Sequence, residues 1–521
     1  MADLEEAQIS LILALNHPTA VITHRVSAGR QLISFPQILR NPQEAYSISK
    51  TTIDLIPLLS SRSLQHSDKR HLLSAAVGLS CDAAAIALHA EKGPLIATEF
   101  LETGRGIIAD ALFERSEISI LQLKHPELAG SLLELLEKLN LPPSRVFAHA
   151  DNPAMPPDTE GSRRLEALAK LHEILKNIRS CQGFDRFFLP TSEADLLEAT
   201  ASGPIMIIND SIIEPILDRL GFTTPPLDNK WPYIWWIPTV LLAQFPLHVA
   251  GHHLRCTSET ALDRVILSYS SSIKAINHPR QREHRGSVPR IPSNAAVVTM
   301  QRIPKQGTLK FASVEADAVL AICQTIGLTP LKPQPYKSPV LSALEHCHIF
   351  HFAGHGSTHP GEPLHSQLLL EDWETQPLTV ESLLEINLSS NPPFLAYLSA
   401  CGTGQVINKT SIDENIHLAS AYQLAGFRHV IGTLWSVDDK ISVDMARMTY
   451  EFLRDEGMTD DSVSRGLHHA TRQLRDRWIE AELGAVTKGL QHLRLERDVQ
   501  LDDVEVERRQ AHWIPYVHYG I

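Results

Sequence analysis

HIFHFAGHG, residues 348–356, is a short apolar run that ends in His-Gly, and FLAYLSACGTG, residues 394–404, is a second that ends in Cys-Gly. Each predicts a buried strand that gives way to small residues. TVESLLEI (379–386) lies between them with the spacing of a crossover helix. A strand, a helix and a second strand in that order predict parallel neighbours. Moving outward, AAVVTM (295–300) and HVIGTLW (429–435) read as further strands. Residues 313–327, 338–347, 416–426, 441–457 and 462–479 read as helices. This alternation predicts an α/β fold, a mostly parallel sheet with helices on both faces.

Upstream, GPIMIIND (203–210) reads as a strand and SIIEPILDRLG (211–221) as a helix weakened by Pro215. SETALDRVILSYSSSIKAI (258–276) reads as a helix. NHPRQREHRGSVPRIP (277–292) is polar, basic and Pro-bearing, so it reads as an exposed linker open to nicking. Residues 1–180 read as helical: 71–92, then 95–114 after the Gly93-Pro94 break, then 125–140 and 162–180. Such hairpins, rich in Ala and Gly, suggest a tetratricopeptide-like repeat without a fixed period. The expected division is a helical region at 1–180, an α/β half without a catalytic cluster at 181–285, and a second α/β half at 286–521.

The chain has 521 residues and a net charge of −13, from 47 Lys and Arg against 60 Asp and Glu. That balance argues against nucleic-acid binding through phosphate contacts. Hydrophobic residues at 43% indicate sizeable cores. Six scattered Cys without a CxxC pair exclude a disulfide framework, a zinc ribbon and a thioredoxin motif. The start, MADLEEAQISLILALN, has acids where a signal peptide needs bases. The most apolar window, YIWWIPTVLLAQFPL, is cut by Pro238 and Pro246, so no membrane span is expected. A soluble, reducing, cytoplasmic setting follows as the expectation.

In parallel sheets the working groups sit just beyond the carboxyl ends of the strands. Here those ends carry His355-Gly356 and Cys401-Gly402. A thiol facing an imidazole is the least apparatus a cysteine nucleophile needs, because a free thiol is only slightly ionised near neutral pH. The N–H groups of Gly356 and Cys401 are candidate oxyanion donors. The competing reading of Cys401 is a buried small hydrophobe. Cys347 lies at the wrong end of the His strand to share such a site. His351, His355 and His359 are spaced by four, with His365 nearby, but strand and loop do not put them on one face, and HExxH is absent. GHG and ACGTG lack the Gly-Lys-Ser/Thr of a phosphate loop. No metal and no cofactor are expected.

Taken together, HFAGHG, YLSACGTG and LAGFRHVIGTLWSVDD resemble the CHAT peptidases, relatives of caspases and separase. HWIPYVHYG (512–520) resembles the end of fungal members. WWIPTVLLAQFPLHVAG and ALDRVILSYSSSIKA resemble the family's first, non-catalytic half. The likeness covers residues 200–521, and EFLETGRGIIADAL resembles the end of the tetratricopeptide region usual in front of this domain. The resemblance implies a caspase-like fold and a cysteine endopeptidase with His355 as base and Cys401 as nucleophile. It also implies that Asp439 lies at the pocket for the residue before the cut, with Asp438 as the alternative, and that a basic residue is preferred there. Asp439 reads equally as a helix N-cap before ISVDMARM. The implied partners are a protein or peptide substrate and an activator bound by the helical region. Rival readings are an adaptor with a protease-like scaffold and a thiol acyltransferase. Family members commonly carry a long repeat array, whereas only a few helices precede the domain here, so the array is short or the chain is a fragment. The Arg residues of 277–292 make that linker a candidate for self-cleavage.

Overall fold

The computed structural model describes residues 2–17, 20, 22–56, 78–104, 117–140, 170–171, 173–185, 187, 205–208, 213–227, 230–255, 260–284, 294–303, 305–386, 388, 391–405, 417–495 and 511–521. The chain divides into two compact units, one of Met1–Leu196 with Gln281–Ser287, the other of Leu197–Arg280 with Val288–Ile521.

The first unit is helical as far as it is described. Helices Ala2–Asn16, Ile22–Ser34, Pro42–Ile53, Leu79–His89 and Pro94–Thr103 pack each on the next in chain order. Pro42 and Pro94 both open helices, where a missing N–H costs nothing. Asn41 caps the third by accepting the N–H of Glu44. Helix Pro126–Asn140 and residues 173–179 surround a small core of Leu121, Ala129, Leu132, Ile178, Phe184 and Phe187. The expected helical stretches at 71–77, 105–114 and 162–169 lie outside the described residues.

The second unit is built on β1 (Ile205–Ile208), β2 (Tyr233–Pro238), β3 (Ile266–Tyr269), β4 (Asn294–Thr299), β5 (Thr329–Leu331), β6 (Ile349–Ala353), β10 (Leu395–Ser399), β11 (His429–Thr433) and β12 (Tyr516–Gly520). They form one sheet in the order β1-β2-β3-β12-β11-β10-β6-β4-β5. Every pairing is parallel except β11 with β12. The sheet is therefore two parallel blocks running in opposite directions, joined at β12. A smaller antiparallel sheet, β7 (Gly356–Ser357), β8 (Gln367–Leu368) and β9 (Leu378–Thr379), follows β6.

The block β5-β4-β6-β10-β11 reverses strand order between β4 and β6. That reversal opens a crevice beyond the strand ends, where loops diverge to either face. β6, β10, β11 and β12 are buried throughout, as strands covered on both faces must be. One face packs Val297, Ile349, Leu395, Tyr397 and Ile431 against Val319, Met445, Leu453 and Leu467 from the helices Ala312–Thr325, Asp439–Glu456 and Asp460–Leu495. On the other face Phe350 stacks on Tyr422 of helix Leu418–Ala425, with ring centroids 5.5 Å apart.

Two sequence expectations fail here. Residues 258–276 are not one helix: Ala261–Arg264 is a short turn of helix, β3 follows, and a new helix runs Ile273–His284. VILSY is buried on both faces, and a short apolar run of that kind lacks the alternation that marks a strand. The expected linker 277–292 begins as the body of that helix, with Asn277 buried and Arg280 over the Trp235 ring. Residues 285–292 lie outside the described residues. No described helix is long and apolar enough to cross a membrane.

Candidate active site

β6 and β10 pair in parallel with Ala353 opposite Ser399. His355 and Cys401 each follow two residues later, so the two side chains leave the sheet at the same level from neighbouring strands. The loops beyond are in direct contact. A Cβ built on Gly356 would stand 2.6 Å from the Cys401 carbonyl oxygen, so only glycine permits this approach. Gly354 N–H donates to Ser399 O (3.1 Å), and Thr358 Oγ1 donates to Gly402 O (3.0 Å).

The His355 ring is fixed through one of its two nitrogens. Nε2 lies 2.7 Å from the carbonyl oxygen of Gly307, in the loop after β4. A carbonyl only accepts, so Nε2 is the donor, and in the neutral ring the lone pair is then on Nδ1. His355 and Cys401 are both partly exposed. β7 leaves the site with Gly356 opposite Leu368, and the flanking Leu369 N–H bonds His355 O (2.9 Å). In an antiparallel ladder the residue between such bonds directs its own N–H outward, and Gly356 occupies that position.

The turn that carries Cys401 is held from β11. Thr433 Oγ1 donates to Ala400 O (2.6 Å) and accepts from Gly402 N–H (3.0 Å), which also approaches Trp435 O at 3.3 Å. Gly402 has φ +68°, a left-handed conformation that glycine adopts without strain. Neither Thr433 nor the Gly307 carbonyl was singled out in the sequence. A threonine closing an apolar strand looks like an ordinary β-branched residue, and a backbone carbonyl has no residue-type signal.

Asp438 and Asp439 both lie at this edge but are occupied differently. Asp438 is the N-cap of helix Asp439–Glu456, its Oδ1 accepting from Lys440 N–H (3.0 Å) and Ile441 N–H (2.9 Å). The capping role that the sequence offered to Asp439 thus belongs to its neighbour. Asp439 Oδ2 instead accepts Phe311 N–H (2.8 Å), from the same loop that supplies Gly307.

The remaining described thiols stand apart. Burial pushes the Cys323 and Cys347 thiols up to about 12. Cys81 is buried, and Cys181 Sγ approaches Asn177 O in the first unit; Cys256 lies outside the described residues. His351 is fully buried, its Nε2 3.2 Å from Glu315 Oε1 in an ion-pair approach and its ring stacked on Tyr397. His359 Nδ1 accepts Glu362 N–H (2.8 Å), and its ring meets His365 edge-on. Among the described residues no three His, Cys, Asp or Glu side chains gather as metal ligands.

A family model, the CHAT domain, matches residues 206–520. No curated protein matches the chain. Among solved structures, the Arg-specific cysteine proteinase gingipain R is 10% identical at a TM-score of 0.35, over 68% of this chain and 75% of that one. The complex of Porphyromonas gingivalis RgpB pro- and mature domains is 10% identical at 0.37, over 67% and 76%. The Saccharomyces cerevisiae separase–securin complex at 3.0 Å is 12% identical at 0.40, over 96% of this chain and 40% of that one.

Proposed function

This chain belongs to the CHAT domain family, and we propose that it is a cysteine endopeptidase working through Cys401 and His355. The observation that carries the reading is the register of β6 and β10, which delivers both residues to one level, with Nε2 of His355 tied to Gly307 O. Nδ1 takes the Cys401 proton, and Sγ attacks the scissile carbonyl carbon. The oxyanion that forms is received by the N–H groups of Gly356 and Cys401. Nδ1–H then protonates the leaving amine as the C–N bond breaks, and water hydrolyses the thioester to free Cys401. No cofactor enters these steps.

Asp439 is the proposed base of the pocket for the residue before the cut. A carboxylate has about four acceptor positions, and Phe311 N–H takes one, so a guanidinium or ammonium still has room to pair. Asp438 is a poorer fit, because its Oδ1 is spent on the helix cap. The helical first unit is the proposed seat of a protein activator, and a cytoplasmic setting is proposed with it.

A peptide-library cleavage screen tests the reading. The wild type is expected to cut after Arg or Lys and to be labelled by a thiol probe. Cys401→Ala should abolish both, and Asp439→Asn should erase the basic preference while keeping the label. Unchanged cleavage by Cys401→Ala ends the proposal. Cleavage with no basic preference removes Asp439 from it.

A further inference from the structure

Thr433 is hydrogen-bonded to the residues on both sides of Cys401, Ala400 and Gly402, and to Thr403 and Gly404 beyond them. It closes β11 and is fully buried. Its Oγ1 donates to Ala400 O (2.6 Å) and accepts from Gly402 N–H (3.0 Å). Its N–H donates to Thr403 Oγ1 (2.9 Å), and its carbonyl accepts Gly404 N–H (2.8 Å).

The hydroxyl bonds matter because of what peptide planes do. A trans peptide is planar, with C=O and N–H pointing in opposite directions. Holding Ala400 O on Thr433 therefore turns the Cys401 N–H away from β11. Holding Gly402 N–H likewise turns the Cys401 carbonyl the other way, and that oxygen is the one pressed against Gly356. One hydroxyl thus anchors both peptide planes that flank the Cys401 Cα. With both planes fixed, the Cα–Cβ bond has one direction, and Sγ is left only the staggered rotamers about that bond. A hydroxyl supplies one donor and two lone pairs, so a single threonine can serve both planes at once. Valine has the same shape and can serve neither.

We propose that Thr433 is a positioning residue, which aims the Cys401 N–H at the oxyanion and the Cys401 Sγ at His355. The inference rests on the reading of Cys401 as nucleophile. It assigns a catalytic consequence to a buried strand-end threonine that does not itself touch substrate.

The test compares Thr433→Val and Thr433→Ser with wild type in the full chain. Three quantities are read: kcat and KM on a peptide the wild type cuts, the pH profile of Cys401 alkylation by iodoacetamide, and thermal unfolding. Removal of an oxyanion donor costs on the order of 100-fold or more in kcat. Thr433→Val is expected to lose kcat on that scale with KM within about threefold, and its alkylation profile should shift to higher pH. Thr433→Ser should stay within about threefold of wild type in kcat. If the Val variant does not fold, Thr433→Ala replaces it. Wild-type kcat and alkylation in a folded Val or Ala variant overturn the inference, as does an equal loss in the Ser variant. A wild type whose Cys401 is inert to iodoacetamide and whose cleavage survives Cys401→Ala sinks the nucleophile reading instead, and the Thr433 inference with it.

Discussion

Asp438 and Asp439 are adjacent and chemically identical, yet one backbone step gives them different partners. Asp438 has the extended backbone of an N-cap, so its Oδ1 reaches back to two N–H groups of its own helix. Asp439 is the first helical residue, and its carboxylate reaches out to Phe311 N–H instead. With Asp439 as the proposed pocket residue, stability and specificity then fall to different carboxylates. Loss of an N-cap acceptor costs about 1 kcal/mol. Asp438→Ala should therefore lower unfolding free energy by about that much, read by urea denaturation, and leave the preferred cleavage residue unchanged. A shift in cleavage preference in that variant would move the pocket from Asp439 to Asp438. The same contrast governs the thiols. Cys323 and Cys347 differ from Cys401 in burial, not in chemistry, and burial keeps a thiol protonated.

At the scale of elements, the strands that build the site were legible. AAVVTM, HIFHFAG, FLAYLSA and HVIGTLW are apolar runs bounded by turn residues; β6, β10 and β11 lie within theirs, and β4 begins one residue before its own. The helices between them were legible from their spacing. VILSY was not, because a strand buried on both faces has no alternation to betray it. β12 is not legible as a strand either, although HWIPYVHYG carries part of the family resemblance. Its place between β3 and β11 depends on pairing between residues far apart in sequence, such as Tyr519 with Val430 and Tyr269. The polar contacts of the site were illegible for a related reason: Gly307 O, Phe311 N–H and the Thr433 hydroxyl become partners only when loops from different strands meet. β12 carries a prediction of its own. β5, at the sheet edge, accommodates Pro330, but β12 has neighbours on both sides. A proline in a central strand deletes a ladder bond, so proline is confined almost entirely to edge strands and bulges. Val517→Pro should cut soluble yield and lower the melting temperature by several degrees, and a wild-type melting curve would show that β12 does not bind the two blocks together.

At the scale of the whole sheet, its buried histidines couple folding to pH. His248 sits in the short helical turn Leu247–Val249 between β2 and β3, with Nε2 on Ile514 O (2.8 Å) and Nδ1 facing the Tyr269 hydroxyl (2.9 Å). The carbonyl requires a proton on Nε2, so the neutral ring satisfies both partners. His417 caps helix Leu418–Ala425 through Nδ1, which accepts Ser420 N–H and must stay unprotonated to do so. Burial lowers His248 to about 4 and His417 to about 3. Burial also lowers His429 and His518, which bond each other (3.1 Å) across β11 and β12; Ser268 meets His518 (2.8 Å), and Asp460 meets His429 (2.7 Å). Below pH 6.5 the unfolded chain takes up protons that these native rings refuse. The unfolded state then binds more protons, so stability rises with pH in this window and falls as pH drops from 6.5 toward 4. Asp460 behaves differently. Burial opposes its charge, but hydrogen bonds from Arg428 and His429 outweigh that and hold its carboxyl below the usual carboxylate range. The stability it contributes is present above its ordinary value of 3.8 and is lost only in stronger acid. The loss between pH 6.5 and 4 therefore carries the signature of the histidines. At one unit below 6.5 each fully buried ring costs about 1.4 kcal/mol, so His248 and His417 together account for roughly 3 kcal/mol at pH 5.5. Urea unfolding at pH 7.5 and 5.5, followed by tryptophan fluorescence, should show a loss of at least that order. His417→Asn keeps a capping acceptor but removes one titrating ring, and it should flatten the slope by about one proton's worth. Equal stability at the two pH values would mean that these rings gain protons in the folded protein as readily as in the unfolded chain.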